Sequence, residues 1–248
     1  MKFTFGSYEN LIKLIRQSGY CVTGYSSYAG IERPCIIRHD VDMSLSVAAK
    51  FAELEANLRS GPVTSTYFVL LSSDLYNPYS KKNIQHLKTI MNAGHEIGLH
   101  FDEKKYMMEE DFDEAYMKES VRREVGILAE IIEKPVLSVS MHRPSKKFLD
   151  TEMIFDGLIN SYSKVFFNQF KYISDSRMNW REDVEGIVSL KKESGLHILT
   201  HPIWYGENDR TILEVMLNFI GSAVNERYKT VGNNLKDLNK ILRPEEVR

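Results

Sequence analysis

Cysteine is almost absent from this chain, with Cys21 and Cys35 the two in 248 residues. Two thiols in apolar surroundings build no disulfide framework, and each reads as a small buried hydrophobe. Net charge is equally slight, 32 basic side chains standing against 34 acidic ones. Without a basic excess, no nucleic acid or anionic membrane surface is expected as a partner. No run of 18 apolar residues occurs, which excludes a helical membrane span on length. The opening residues Met1-Lys2-Phe3-Thr4-Phe5-Gly6-Ser7 lack the apolar core of a secretory signal, so a cytoplasmic location is expected. There is no glycine-rich phosphate loop, no internal repeat and no linker-like tract.

What the chain does have is a regular alternation of strand and helix patterns. Helical spacing is expected near 7–18, from Ser44 through Leu58, from Ser80 to Gly94, over 111–133 and over 209–228. Strand patterns fall at 35–41, 64–71, 95–100 and 136–142, with weaker ones at 171–174 and 197–201. The segment 151–170 has no legible period. A β-α-β-α rhythm calls for parallel strands with helices outside, in an α/β fold. Six or seven strands fit either an irregular barrel or an open doubly wound sheet. Polar clusters favour the barrel, because they recur at strand C-terminal ends: Asp40 and Asp42, His100 and Asp102, His142 and Arg143, Asp175, His201.

The sharpest local feature is Cys35-Ile36-Ile37-Arg38-His39-Asp40-Val41-Asp42. On a strand, a period of two points Asp40 and Asp42 to one side. Paired carboxylates need a compensating cation, an arginine or a shared proton. The plain alternative is a solvated turn in which Asp42 or Ser44 caps the next helix. His39 should face away from Asp40 and serve structure, as should His95 at the far end of its strand.

Four motifs, taken in order, resemble a known family. They are His39-Asp40-Val41-Asp42, Gly94-His95-Glu96-Ile97-Gly98-Leu99-His100, His142-Arg143-Pro144 and Leu199-Thr200-His201-Pro202. The series is similar to that of the polysaccharide deacetylases (NodB homology, carbohydrate esterase family four), over about 35–205. The resemblance implies a distorted (β/α)7 barrel forming one domain over 1–248, with a C-terminal helical segment at about 209–248. It further implies a hydrolase of amide bonds, removing an acyl group, usually N-acetyl, from an amino sugar or glycan precursor by a metal-bound water. Carried onto this chain, Asp40 is the general base, Asp42 and His100 are metal ligands, and Arg143 orients the base. His201 is the general acid, and Asp175, ahead of Trp180, tunes it.

The residue types suit that chemistry. A bound Zn²⁺ brings the pKa of its water to about 7, and a carboxylate with two neutral imidazoles leaves positive charge for the developing oxyanion. A free carboxylate nearby can take the proton, and the departing amine needs an acid on the other side.

One departure stands out. The family's second metal histidine should come four residues after His100, where this chain has Lys104. Either a substitute completes a divalent site, with His142 first and Asp102 second, or the metal is lost. In that case the scaffold is a metal-free amidase or a non-catalytic glycan-binding or accessory protein. His142 and Arg143 can converge only if the chain turns there, as Pro144 permits. Aromatic side chains near the catalytic face, namely Tyr67, Trp180, Trp204 and Tyr205, are candidates for stacking on a sugar. A chain without an export signal is expected to treat a free, lipid-linked or nucleotide-linked sugar in surface-glycan synthesis. Oligomeric state stays open, with the helix at 209–228 serving either a dimer or its own core.

Overall fold

The computed structural model describes residues 1–108 and 111–247. Glu109 and Glu110, part of an acidic run that reads as a helix start, lie outside the described residues. The chain divides into two compact units, Met1–Glu207 and Asn208–Arg248.

The first unit begins with α1 (Phe5–Gln17) and the short strand β1 (Cys21–Thr23), where Cys21 is exposed and only Cys35 is buried. Then follow β2 (Pro34–Val41), α2 (Leu45–Ala56), β3 (Thr66–Leu70), α3 (Lys81–Asn92), β4 (Glu96–Phe101), α4 (Glu114–Ile132) and β5 (Ser138–Met141). Residues 146–200 supply α5 (Lys146–Asp150), β6 (Ile159–Asn160), α6 (Lys164–Asn168), β7 (Lys171–Ser174), α7 (Val184–Leu190) and β8 (Leu196–Thr200). Caps set the helix starts: Ser44, Ser80 and Asp113 each accept a hydrogen bond from a backbone N–H of the first turn. Gly94 follows α3 at φ +92°, the left-handed conformation that suits glycine beyond a helix end.

Every strand pair is parallel, and the order is β6-β5-β4-β3-β2-β8-β7, with β1 beside the first half of β2. That order runs in one direction and returns through β8 to β2, so it winds like a barrel. A doubly wound sheet would reverse direction at a switch point. No pairing joins β6 to β7, and the result is a curled half-barrel with helices around it, an α/β fold of the expected class.

Alternation along β2 decides what faces the interior. All eight residues of β2 are buried. Arg38 and Asp40 share the inner face with Phe68 of β3. His39 points the other way, toward α2, where its Nε2 lies 3.1 Å from Glu55 and its Nδ1 lies 2.6 Å from the Thr200 hydroxyl. Glu55 also accepts from the hydroxyls of Tyr8, Ser65 and Tyr67, so the helix–sheet seam holds a fully connected buried carboxylate. Gly98 of β4 has no Cβ because one would overlap the Phe68 ring, over which the Arg38 guanidinium lies.

The second unit is α8 (Ile212–Asn234), opened by a capping box between Thr211 and Glu214, followed by α9 (Leu238–Ile241). Among the described residues, no helix is long and apolar enough to cross a membrane.

Candidate active site

Five strand ends bring their polar residues to one mouth of the sheet. Asp42 follows β2, His100 lies near the end of β4, and His142 follows β5. Asp175 and His201 follow β7 and β8.

Three of these side chains converge. The Nε2 of His100 lies 3.2 Å from Oδ1 of Asp42 and 3.3 Å from Nδ1 of His142, and the third edge, His142 to Asp42, is 3.5 Å. A tetrahedral ion with bonds of about 2.0–2.2 Å holds its donors about 3.3–3.6 Å apart. One oxygen and two nitrogens at these spacings fit a divalent cation. Two further observations agree with that fit. Oδ1 of Asp42 is buried with no hydrogen-bond partner. Nδ1 of His100 donates to the Ser140 carbonyl at 3.1 Å, which fixes the ring with Nε2 turned toward the other two donors. Burial alone would raise the pKa of Asp42. The imidazoles of His100 and His142 and the charge of His201 outweigh it, holding that carboxyl well below the usual range.

Lys104 is not part of this cluster. It sits exposed in a single 3-10 turn whose backbone is capped by Asp102, so neither of these residues reaches the three donors. His142 comes in their place because the chain turns directly after it. Its backbone N–H is still bonded to Phe101 at 2.7 Å, and Arg143 then adopts φ +52°.

That same turn corrects the expected role of Arg143. Leaving the strand in the left-handed conformation, its side chain is exposed and lines a cavity of about 430 Å³ with Lys104, Met107 and Pro144. The guanidinium on Asp40 belongs to Arg38. Its Nη2 donates to Oδ2 of Asp40 at 2.9 Å, its Nη1 donates to the Ser161 hydroxyl at 2.8 Å, and the side chain is fully buried. Sequence reasoning missed Arg38, although the alternation that pairs Asp40 with Asp42 also places Arg38 on their side. Oδ2 of Asp40 is 3.5 Å from His100, while Oδ1 is buried without a hydrogen-bond partner.

On the opposite flank, Asp175 is buried and accepts from both the backbone N–H of His201 and its Nδ1, the latter at 2.6 Å. The Nε2 of His201 is then turned toward Asp42, 3.8 Å away. Burial would lower the pKa of His201. The carboxylates of Asp175, Asp40 and Asp42 overcome it, and the imidazole is pushed up to about 9.

The aromatic candidates separate. Trp204 packs 6.1 Å from the His201 ring and is the one that adjoins the site. Tyr67 faces the other side of β3, because Phe68 takes the inner face, and it donates to Glu55. Tyr205 is buried among Phe3, Tyr8 and Phe51, where no substrate reaches it. Trp180 stacks on Phe3 at 6.4 Å.

No family model matches the chain, and no curated protein matches it. Solved structures do. The Xyl-CE4 domain of a multidomain xylanase from the hindgut metagenome of Trinervitermes trinervoides is similar at 13% identity, over 81% of this chain and 85% of that one, with a TM-score of 0.42. Peptidoglycan deacetylase PdaC from Bacillus subtilis is similar at 12% identity, over 80% and 97%, with a TM-score of 0.41. A CE4 family pseudoenzyme from Bacillus anthracis is similar at 13% identity, over 79% and 64%, again at 0.41. These neighbours are of the family that the four motifs resemble. At this level of likeness the side chains of the site, and not the neighbours, carry the functional reading.

Proposed function

We propose that the chain is a metal-dependent deacylase of an N-acylated amino sugar or glycan precursor, with Zn²⁺ as the natural occupant of Asp42, His100 and His142. The observation that carries this reading is the placement of two different proton-handling groups against one three-donor cluster. Asp40, compensated by Arg38, stands 3.5 Å from one donor, and His201, braced by Asp175, stands 3.8 Å from another. When bound, the cation supplies positive charge that polarises an acyl carbonyl and acidifies water beside it.

The chain's own residues then divide the proton work. The Asp40 carboxylate accepts the proton of the attacking water, while Arg38, bonded to Oδ2, keeps it turned in one direction. As the water oxygen bonds to the acyl carbon and the C–N bond breaks, Nε2 of His201 donates its proton to the departing amine. The products are a free amine and a carboxylic acid. Asp175 holds that imidazole charged through Nδ1 and fixes its direction. Trp204, buried beside the acid, packs against its imidazole and helps fix its place.

The test is mass-spectrometric detection of acyl loss from N-acetylated sugars, free and nucleotide-linked, with Zn²⁺ added. Wild type should release acetate, and Asp40→Asn should lose turnover while keeping ligand affinity. Binding without turnover in both proteins would leave a glycan-binding scaffold instead.

A further inference from the structure

The two residues that leave their expected roles, Lys104 and Arg143, line the same cavity of about 430 Å³. Its walls are the segments that follow two of the three donors. Residues 103–108 lead away from His100 at the end of β4, and residues 143–146 lead away from His142 after β5. The cavity thus begins one residue beyond a donor of the cation site. A buried clamp fixes its two walls to each other. Glu103 is 3% exposed, and its Oε1 accepts from the backbone N–H of Ser145, tying the turn after β4 to the turn after β5. Lys104 follows Glu103 directly, its own N–H held by Oδ1 of Asp102 at 3.1 Å, and Arg143 comes two residues before Ser145. Each wall is thereby given one rooted cation.

The donors and acceptors of the lining select the ligand. Among the described residues, neither Lys104 nor Arg143 has a carboxylate partner, and Lys146 adds a third cation. Asp111 and Asp113 line a second cavity on the other side of Lys104. Oε2 of Glu103 is buried with no hydrogen-bond partner, so the lining offers one acceptor beside its cationic donors. A bare inorganic anion would gain from the cations and be repelled by that carboxylate. A polyhydroxy compound that carries an acid group satisfies both. It donates a hydroxyl to Glu103 and sets its anionic oxygens against the Lys104 ammonium and the planar fork of Arg143. Met107, Phe112 and Pro144 supply apolar surface for the C–H face of a sugar ring.

We propose that this cavity is a substrate subsite for an acid group, a phosphate or carboxylate carried on the acylated sugar or on the sugar next to it. Lys104 and Arg143 read the negative charge, and Glu103 takes a hydroxyl of the same ligand. The inference rests on the deacylase reading of the neighbouring cluster and narrows its substrate class to anionic amino sugars. It also gives Lys104 a use that its distance from the three donors denies it as a ligand.

Calorimetric titration of the full chain with Zn²⁺ present, at about 50 mM salt, tests this with amines that have no acyl group to lose. The ligands are glucosamine, glucosamine 1-phosphate, glucosamine 6-phosphate and muramic acid, with inorganic phosphate beside them. At least one acid-bearing amine should bind about tenfold or more tightly than both glucosamine and inorganic phosphate. With Lys104→Gln and Arg143→Gln combined, both at exposed positions, its ratio to glucosamine should fall to about one while Zn²⁺ affinity holds. Selectivity for the phosphates or for muramic acid names the acid group. No preference, a preference that survives the double substitution, or inorganic phosphate binding as tightly as the best amine would overturn the inference. Acetate release from N-acetylglucosamine without the preference would leave the deacylase reading standing and remove the subsite, and the preference without acetate release would do the reverse.

Discussion

Replacing Arg38 by methionine tests the arrangement around Asp40 through stability, independently of any substrate. Arg38 is fully buried and Asp40 nearly so, and they meet at 2.9 Å. Removing the guanidinium takes from the carboxylate its hydrogen-bonded cation inside the half-barrel, a change that costs about 3–5 kcal/mol for buried pairs. The Nη1 bond to Ser161 goes with it. In a protein of this size 1 kcal/mol moves the melting temperature by about 2–4 °C, so Arg38→Met should melt some 6–20 °C lower. Asp40→Asn should also destabilise, because it strands the arginine. The double variant removes both charges and should recover at least about 2 kcal/mol relative to the sum of the single changes. Urea unfolding followed by circular dichroism, in the presence of a chelator, gives all four corners of the cycle. A loss below about 1 kcal/mol in Arg38→Met, the level of a surface pair, would refute the reasoning, as would strict additivity.

Three further outcomes follow from the same geometry. His142→Ala should weaken Zn²⁺ binding by about tenfold or more in a chelator competition, whereas Asp102→Ala and Lys104→Ala should not change it, and equal effects at all three positions would dissolve the proposed donor set. Asp175→Asn should bring the midpoint of His201, read by NMR of the imidazole, down from about 9 toward the ordinary histidine range. A midpoint that stays put would remove Asp175 as the brace. For Glu55, burial would raise the carboxyl, but His39, His95 and the Tyr8 hydroxyl bring it down from 4.5 to about 2. A depressed carboxyl stabilises the fold above its unfolded value and loses that contribution as pH falls toward the folded one. Wild type should therefore lose about 3 kcal/mol more than Glu55→Gln between pH 5 and 2, measured by urea midpoints at each pH, and parallel curves would contradict the assignment.

The fold was legible wherever period and punctuation agreed. Asp40 and Asp42 close an apolar run bounded as a strand, Ser44 and Ser80 cap the helices they precede, and Gly94 ends one. The region at 151–170 was illegible because β6 is two residues long and α6 five, too short for either period to show. Within the site, strand alternation made Asp40 and Asp42 readable, while Arg38 on the same face was overlooked. Pro144 marked the turn that brings His142 into the donor cluster, but not the left-handed residue that turns the Arg143 side chain away from Asp40. Tyr67 shows the reverse error. Its position near a strand end suggested the cleft, although alternation with Phe68 already assigned it to the helix side.

Deacylation as proposed requires that Asp42, His100 and His142 hold one divalent cation beside Asp40. Anomalous scattering from crystals grown with Zn²⁺ tests it most directly. One strong peak should lie about 2.0–2.2 Å from Oδ1 of Asp42, Nε2 of His100 and Nδ1 of His142, with Asp40 still on Arg38. A peak held by other residues, or none between these three donors at saturating zinc, would contradict it.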